Sequence, residues 1–237
     1  MNTRSPILDA AGCSKTLNNL QILSRFGDRY EELNLCSSIC ASESLRNDTF
    51  VPKYTKANAY SQSLGETFVF PAIVKPIVSR INTKKTQNPH NFSIIFNEDQ
   101  LKTVAYPCVI QEFLDHGDFF YKIYVIGDFC DIQIRPTKKL SEVEKIDENV
   151  ISFNSRATCR VSPCQLTDSD SIPAETKKRL MEIGQEFRLG SGLDLFNMDA
   201  LPCGSRFAVI DINVFPSFQS VPNRLEHLHN LVLKTLN

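Results

Sequence analysis

From Thr67 onward the chain is dominated by short apolar runs of the kind that form β-strands, and this pattern constrains the fold most. Gly127-Asp128 separates two of these runs by only two residues, which predicts a hairpin between 119–126 and 129–135. Because hairpins outnumber alternations of strand and helix, we predict an α+β fold with mainly antiparallel sheets and flanking helices. The predicted strands are 68–75, 92–96, 108–113, 119–126, 130–135, 151–153, 193–201 and 206–214.

Three segments carry apolar side chains at the spacing of an amphipathic helix. Ser14 is suited to cap the first helix, while Pro173 and Gly190 are suited to begin and end the second. The polar stretch 36–66, which is rich in Ser and Asn, is expected to form loop with one short helix at most. The predicted helices are 14–25, 173–189 and 222–236.

The charge balance excludes several classes of protein. Among 237 residues, 26 are Lys or Arg and 27 are Asp or Glu, which argues against a protein that coats DNA or anionic membranes. No apolar run approaches the roughly 18 residues of a membrane span, and the first residues lack an export signal. The eight cysteines include no Cys-x-x-Cys pair, so we expect free, reduced thiols. We therefore expect a cytoplasmic monomer without a nucleic-acid partner.

An acidic pattern near the C-terminus carries the most chemical information. Asp211 and Asn213 lie two residues apart on a predicted strand, so both side chains should share one face with Val209. Asp199 ends the preceding strand, which a short turn makes its neighbour. Carboxylate and amide oxygens are the ligands that Mg²⁺ prefers, and a salt bridge at a sheet edge is the alternative. The opposite face should be apolar and buried: Ala208, Ile210, Ile212 and Val214.

Basic residues stand in several of the other predicted strands. Lys75 lies in an apolar run, so we expect a buried stem and an ammonium aimed at one specific partner, such as a phosphate. Lys122 occupies another apolar strand, and Arg135 shares a face with Gln133 and Asp131. Any one of these side chains could simply extend into solvent. Together with a carboxylate metal site, they indicate a pocket for a polyanion.

The order of these features resembles the ATP-grasp architecture and, more closely, the inositol 1,3,4-trisphosphate 5/6-kinase family, also called inositol-tetrakisphosphate 1-kinases. The resemblance runs from about residue 9 to the end of the chain. The last of the matching segments is the most specific. These segments are Ser14-Lys-Thr, Asp28-Arg29, Val69-Phe-Pro-Ala-Ile-Val-Lys75, His90, Ile94-Ile-Phe-Asn97, Cys108-Val-Ile-Gln111-Glu-Phe, Tyr121-Lys122, Arg135-Pro136, Phe153-Asn-Ser155, Leu195-Phe-Asn-Met-Asp199 and Ala208-Val-Ile-Asp-Ile-Asn-Val-Phe-Pro216.

The resemblance implies a role for individual residues in a kinase that uses ATP and Mg²⁺. The residues expected to contact ATP are Arg29, Lys75, Gln111, Glu112, Phe113, Leu114, Lys122, Thr137 and Ser155, with 111–114 as the hinge that binds adenine. Two Mg²⁺ ions would be held by Asp199, Asp211 and Asn213. The inositol phosphate would contact His90, Lys122, Arg135, Asn213 and Ser217. Phosphoryl transfer itself would depend on Lys75, Lys122 and Asp211, by positioning and charge neutralisation.

The resemblance also implies a division of the chain. Residues 67–117 would form the small ATP-grasp subdomain and residues 118–237 the C-terminal one, after an N-terminal helix and linker over 1–66. The family has a further N-terminal domain that supplies substrate-binding lysines, and we expect this chain to lack it. That expectation, with a loop at 76–89 that contains no glycine, leaves two alternatives open. One is a non-catalytic nucleotide-binding module, and the other is an ATP-grasp ligase that joins a carboxylate to an amine.

Overall fold

The computed structural model describes residues 16–60, 64–65, 68–79, 87–137, 150–155, 171–214 and 216–236. The helices among them are α1 (Leu20–Leu23), α2 (Arg29–Cys40), α3 (Ala174–Ser191) and α4 (Arg224–Leu236), with a 3₁₀ helix at Glu98–Thr103. The strands are β1 (Thr49–Phe50), β2 (Tyr54–Ala57), β3 (Ala72–Pro76), β4 (Asn91–Ile95), β5 (Cys108–Glu112), β6 (Phe119–Ile126), β7 (Phe129–Pro136), β8 (Ile151–Asn154), β9 (Leu195–Cys203) and β10 (Arg206–Val214).

These strands form two five-stranded sheets. Sheet 1 has the order β1-β10-β9-β6-β7, and sheet 2 has the order β2-β5-β3-β4-β8. Within the described strands, β1 and β10 run parallel and the other neighbours run antiparallel. The prediction of an α+β fold with mainly antiparallel sheets is therefore confirmed, and so is the hairpin formed by β6 and β7. Sheet 2 also takes strands from 54–57 and 151–154, on either side of residues 67–117.

One face of sheet 1 is covered by the helices α2 and α3. Leu180, Ile183 and Phe187 of α3 are fully buried against the apolar side chains of β6 and β9. The helix approaches the sheet closely at Gly184, where a Cβ atom would lie 3.0 Å from Ile123 Cγ2. The large apolar core therefore lies on the helix-covered face, and the side chains that alternate with it point to the other face.

The region before Thr67 is more ordered than its polar sequence predicts. Helix α2 begins after Asp28, whose Oδ1 accepts from the N–H of Tyr30 at 2.9 Å. Strands β1 and β2 lie inside the stretch 36–66, so the prediction of a loop there is wrong. Both strands are short, and each is held by a longer neighbour, β10 for β1 and β5 for β2. Tertiary pairing has overridden a weak local preference.

Two predicted helix boundaries also need correction. The helix expected over 14–25 is limited to α1 among the described residues, and Asn19 caps it. Ser14 lies outside the described residues. Helix α3 runs through Gly190 and ends at Gly192, which adopts a left-handed conformation with φ of 71°. The prediction that Gly190 ends this helix is therefore wrong, and Gly192 ends it instead. In the described part of the chain, no helix has both the length and the apolar character needed to cross a lipid bilayer.

A β-bulge in β10 changes the predicted alternation of side chains. Val209 pairs with Ala200 and Asp211 pairs with Asp199, so Ile210 is an extra residue. Val209 is consequently buried with Ile212 on the helix-covered face, and the prediction that it shares a face with Asp211 is wrong. Ala208 and Ile210 pack in a separate small cluster around Phe120 and Leu201, away from Ile212 and Val214.

Candidate active site

The face of sheet 1 opposite α2 and α3 carries two rows of polar side chains, which we call the polar face. Each row crosses the neighbouring strands β10, β9, β6 and β7 in register. Their alternation with the buried residues of the same strands turns them away from α2 and α3. Helix α4 packs at one end of the polar face, where Leu231 lies in a cluster with Tyr124 and Ile126. The first row is Asp211, Asp199, Lys122 and Gln133, and the second is Asn213, Asn197, Tyr124 and Asp131.

Both carboxylates of the first row are paired with cations. Lys122 Nζ donates to Asp199 Oδ1 across the β6–β9 pair. Arg29, at the start of α2, donates from Nη1 to Asp211 Oδ1 at 2.8 Å, and its side chain is buried. Two carbonyl groups hold the rest of this guanidinium, those of Pro76 and Pro89, each at 3.3 Å. These ion pairs supply the positive compensation that buried carboxylates require.

Lys122 remains an ammonium because of its partner. Burial lowers the pKa of Lys122, but the charge of Asp199 and the hydrogen bond to it outweigh burial and raise the pKa above its ordinary value. Removal of either partner would leave the other one charged and largely out of water.

Lys75 reaches the same site from sheet 2, and its surroundings are different. Its side chain is 4% exposed, and Nζ donates to Gln111 Oε1 at 2.8 Å and to the Ile210 carbonyl at 3.0 Å. Both acceptors are neutral, and no carboxylate among the described residues accepts from this ammonium. Burial therefore lowers the pKa of Lys75 to about 8, although the more distant charge of Asp211 opposes the shift. The expectation of a buried, specifically directed lysine is confirmed.

The bond from Lys75 to Ile210 joins the two sheets at the bulge. An extra residue in a strand has no partner in the ladder, so its carbonyl is available to a donor from elsewhere. The ring of Phe92 in β4 lies beside both cations, with its centre 5.3 Å from the Arg29 guanidinium carbon and 5.7 Å from Lys75 Nζ. The polar face and the end of β3 thus form one site where the two sheets meet.

The predicted metal ligands are brought together on the polar face. Asp211 lies opposite Asp199, and Asn213 Nδ2 donates to Asp211 Oδ2 at 2.9 Å. No three side chains of His, Cys, Asp or Glu gather into a metal-binding group anywhere in the described ranges. A metal here would depend on the two carboxylates and the amide oxygen of Asn213. Hard oxygen donors of this kind fit Mg²⁺, which completes its shell with water and phosphate.

Arg135 extends the polar face along β7, two residues beyond Gln133. Its Nη2 donates to Gln133 Oε1 at 2.6 Å, to Ser220 Oγ at 3.3 Å and to the Tyr124 hydroxyl at 3.5 Å. Gln133 in turn donates to Asp131 Oδ2 at 2.6 Å. These contacts hold the guanidinium beside the second polar row.

The segment 111–114, expected to bind adenine, includes the last two residues of β5 and the two that follow it. The N–H of Glu112 donates to the Lys53 carbonyl at 2.9 Å, and that of Phe113 donates to the Pro71 carbonyl at 3.0 Å. The Leu114 carbonyl lies 2.8 Å from the ring of His116, which is 3.4 Å from the Thr137 hydroxyl. His116 therefore contacts both the expected hinge and Thr137.

Three further expected site residues, His90, Ser155 and Ser217, are not members of the two polar rows. The N–H of Ser155 donates to the His90 carbonyl at 2.8 Å, which places these two residues together where β4 and β8 meet. Ser217 follows β10 and is exposed.

Sequence reasoning missed two buried polar residues of the site. Glu32 of α2 accepts from the Gly27 N–H at 2.8 Å and from the Ser79 hydroxyl, and burial raises its pKa to about 7. The capping residue Asp28 was the signal that could have indicated this helix. Asn197 lies on the polar face, and its place two residues before Asp199 in an apolar strand was the signal for it.

Comparison with known families agrees with this geometry. Residues 45–234 match the model described as the inositol 1,3,4-trisphosphate 5/6-kinase ATP-grasp domain. A relative from Danio rerio, inositol-tetrakisphosphate 1-kinase, is 32% identical over 166 residues, which are 67% of this chain and 41% of that protein. Inositol-tetrakisphosphate 1-kinase 2 of Oryza sativa subsp. japonica is 30% identical, and the match covers 94% of this chain and 62% of that protein. The chain thus spans 41% to 62% of the length of these relatives.

Solved structures share the fold at low sequence identity. D-alanine–D-alanine ligase from Bacillus anthracis has a TM-score of 0.59 at 12% identity, over 97% of this chain and 73% of the ligase. The RimK domain protein ATP-grasp from Sphaerobacter thermophilus has a TM-score of 0.59 at 11% identity, over 95% and 73%. The chain has the ATP-grasp fold and belongs to the inositol 1,3,4-trisphosphate 5/6-kinase ATP-grasp domain family.

Proposed function

We propose that this chain transfers the γ-phosphate of ATP to a hydroxyl group of an inositol polyphosphate, either inositol 1,3,4-trisphosphate or an inositol tetrakisphosphate, in a reaction that depends on Mg²⁺. Membership of the family supports the proposal. The structural observation that carries it is Lys75, a buried ammonium held by two neutral acceptors and facing the paired carboxylates of sheet 1. A cation in such surroundings favours an incoming anion such as a phosphate group.

The residues of the site divide the work of phosphoryl transfer. Lys75 would bind the phosphates of ATP, and Asp199, Asp211 and Asn213 would hold two Mg²⁺ ions. When bound, Mg²⁺ neutralises the charge that develops on the transferred group. Arg29 and Lys122 keep the two carboxylates in place.

The substrate's own phosphates need further positive charge. Lys122 and Arg135 lie on the polar face, and His90, Asn213 and Ser217 would complete the contacts to the inositol phosphate. The expected ATP contacts are Arg29, Lys75, Gln111, Glu112, Phe113, Leu114, Lys122, Thr137 and Ser155. Because the chain offers positioning and charge neutralisation, transfer needs no covalent intermediate on the protein.

One observation favours a second function, that of a non-catalytic nucleotide-binding module. Both carboxylates that would hold the metal are already paired with side-chain cations. A module of this kind would bind ATP through Lys75 and transfer nothing.

The two functions are separated by a product assay. The chain would be incubated with Mg-ATP and each of a panel of inositol tris- and tetrakisphosphates, and the products separated by chromatography. We expect a more highly phosphorylated product that disappears in Asp211→Asn and persists in Lys178→Met, a change at an exposed position of α3. ATP binding without product from any of these substrates would overturn the proposed kinase activity and favour the non-catalytic nucleotide-binding module. ADP release that requires an amino-acid acceptor would indicate a ligase instead.

A further inference from the structure

Asn197 is a buried polar residue in the middle of an apolar strand. Its side chain is 4% exposed, and its neighbours Phe196 and Met198 in β9 are fully buried. It lies on the polar face between Asn213 of β10 and Tyr124 of β6. Burial of an amide is unfavourable unless its groups are hydrogen-bonded, so its partners define what it does.

The hydrogen-bond partners of Asn197 fix which way its amide points. Lys122 Nζ lies 3.5 Å from Asn197 Oδ1, and an ammonium can only donate. The oxygen of Asn197 must therefore face Lys122, because its NH₂ group would meet another donor there. The ion pair with Asp199 holds the ammonium in this place.

The orientation of Asn197 is passed on to Asn213. Asn213 lies 3.3 Å from Asn197 Oδ1 and 2.9 Å from Asp211 Oδ2, and both of these atoms are acceptors. Asn213 must present its NH₂ group to both of them. The amide oxygen of Asn213 is then turned away from both acceptors.

We propose that Asn197 is a positioning residue that, together with Asp211, holds the NH₂ group of Asn213, so that the oxygen of Asn213 and not its nitrogen is left for a cation. This inference rests on the proposed function only in taking Asn213 as a metal ligand. The order of contacts is Lys122, Asn197, Asn213 and Asp211, with Arg29 on the second oxygen of Asp211. These contacts link the Lys122–Asp199 pair to Asp211 through the two amides.

The test is the affinity for Mn²⁺ alone, measured by electron paramagnetic resonance on the full chain without nucleotide. Asn197→Leu removes one of the two acceptors of the Asn213 NH₂ group and leaves only Asp211, so the amide is held less firmly, and we expect Mn²⁺ binding to weaken about fivefold. Asn197→Asp keeps an acceptor for both Lys122 and Asn213, so its affinity should match or exceed that of the wild type. Met198→Leu changes the next residue of β9 on the helix-covered face and should leave binding unchanged.

Each outcome decides the inference. Wild-type affinity in a folded Asn197→Leu variant, or equal losses in the Leu and Asp variants, would overturn it. If Asn197→Leu does not fold by circular dichroism, Asn197→Ala removes the same acceptor without added bulk, and the same expectation applies. A wild-type chain that forms product in the kinase assay but binds no Mn²⁺ alone would overturn this inference and leave the proposed function standing.

Discussion

Lys122 in sheet 1 and Lys75 in sheet 2 are both removed from water, yet their surroundings act on them in opposite directions. The carboxylate of Asp199 raises the pKa of Lys122 against the effect of burial. Burial lowers the pKa of Lys75 to about 8, because its hydrogen-bond acceptors are an amide and a backbone carbonyl.

The difference teaches what each sheet contributes to the site. In sheet 1 the charges of Asp199 and Asp211 are matched inside the protein, so that Lys122 and Arg29 stabilise the arrangement of these carboxylates. In sheet 2 the positive charge of Lys75 is left without a matching carboxylate among the described residues. A matched ion pair holds its two side chains in a fixed arrangement. An unmatched buried charge favours the binding of a ligand of opposite charge.

The largest expected effect comes from breaking the matched pair. Lys122→Met leaves the Asp199 carboxylate without its cation, and we expect the free energy of unfolding to fall by about 3 kcal/mol. Urea denaturation followed by circular dichroism measures this loss. The double variant Lys122→Met, Asp199→Asn removes both charges and should recover most of the stability. If Lys122→Met were as stable as the wild type, the ion pair between Lys122 and Asp199 would not be required for stability.

Replacement of the sheet 2 lysine by Met should affect ATP binding and leave the fold stable, the reverse of the effect in sheet 1. Lys75→Met leaves no described carboxylate without a partner and removes an ammonium whose burial is unfavourable, so near neutral pH the free energy of unfolding should not fall. ATP affinity should fall about a hundredfold, because charge-assisted hydrogen bonds contribute roughly 1.5–3 kcal/mol each. Isothermal titration calorimetry with ATP gives this value. A loss of stability as large as that of Lys122→Met would erase the contrast between the sheets.

The pH dependence of stability sharpens the comparison further. The pKa of Lys75 is lowered from 10.5 to about 8 on folding, so the unfolded chain binds the extra proton between these values. The contribution of Lys75 to stability should therefore rise with pH across this window and be lost as the pH falls through it, by on the order of 2 kcal/mol. Burial raises the pKa of thiols such as Cys36 and Cys108, and these groups make the total stability fall with pH in the same window. Denaturation from pH 8 to 10, under reducing conditions, should therefore show that the stability of the wild type relative to Lys75→Met rises with pH. Parallel curves would contradict the shifted pKa.

The smallest effect follows from giving Lys75 a matched partner. In Gln111→Glu the new carboxylate can pair with Lys75, and little is lost because Gln111 Nε2 is buried with no partner among the described atoms. We expect a higher pKa for Lys75 and about tenfold weaker ATP binding, or about 1.4 kcal/mol. Gln21→Glu, the same change at an exposed position of α1, should leave calorimetric ATP affinity unchanged. Unaltered affinity in Gln111→Glu would mean that the charge of Lys75 is not what binds ATP.

Local patterns were sufficient for much of the fold. Two residues between apolar runs predict the β6–β7 hairpin, and its register places Lys122, Gln133 and Arg135 as expected. Alternation also places Asp211 and Asn213 on one face. These signals are local, since they depend only on the turn and the period of the strand.

The parts that could not be predicted depend on contacts between distant segments. Arg29 and Asp211 form an ion pair across 182 positions of the chain, and no periodicity encodes such a meeting. Strands β1 and β2 exist because longer strands pair with them. Alternation assumes an uninterrupted ladder, so it assigned Val209 to the wrong face when the bulge added a residue.

The bulge at Ile210 has a consequence for which changes the site can tolerate. The atom that meets Lys75 is a backbone carbonyl, which every amino acid at position 210 would supply. Exchange of that side chain within its small apolar cluster would therefore preserve the link between the sheets. Deletion of the single residue would instead restore a regular ladder, in which Val209 and Asp211 keep their partners Ala200 and Asp199 but the unpaired carbonyl that meets Lys75 is lost. The link between the two sheets therefore depends on the presence of an extra residue at this position and not on its side chain.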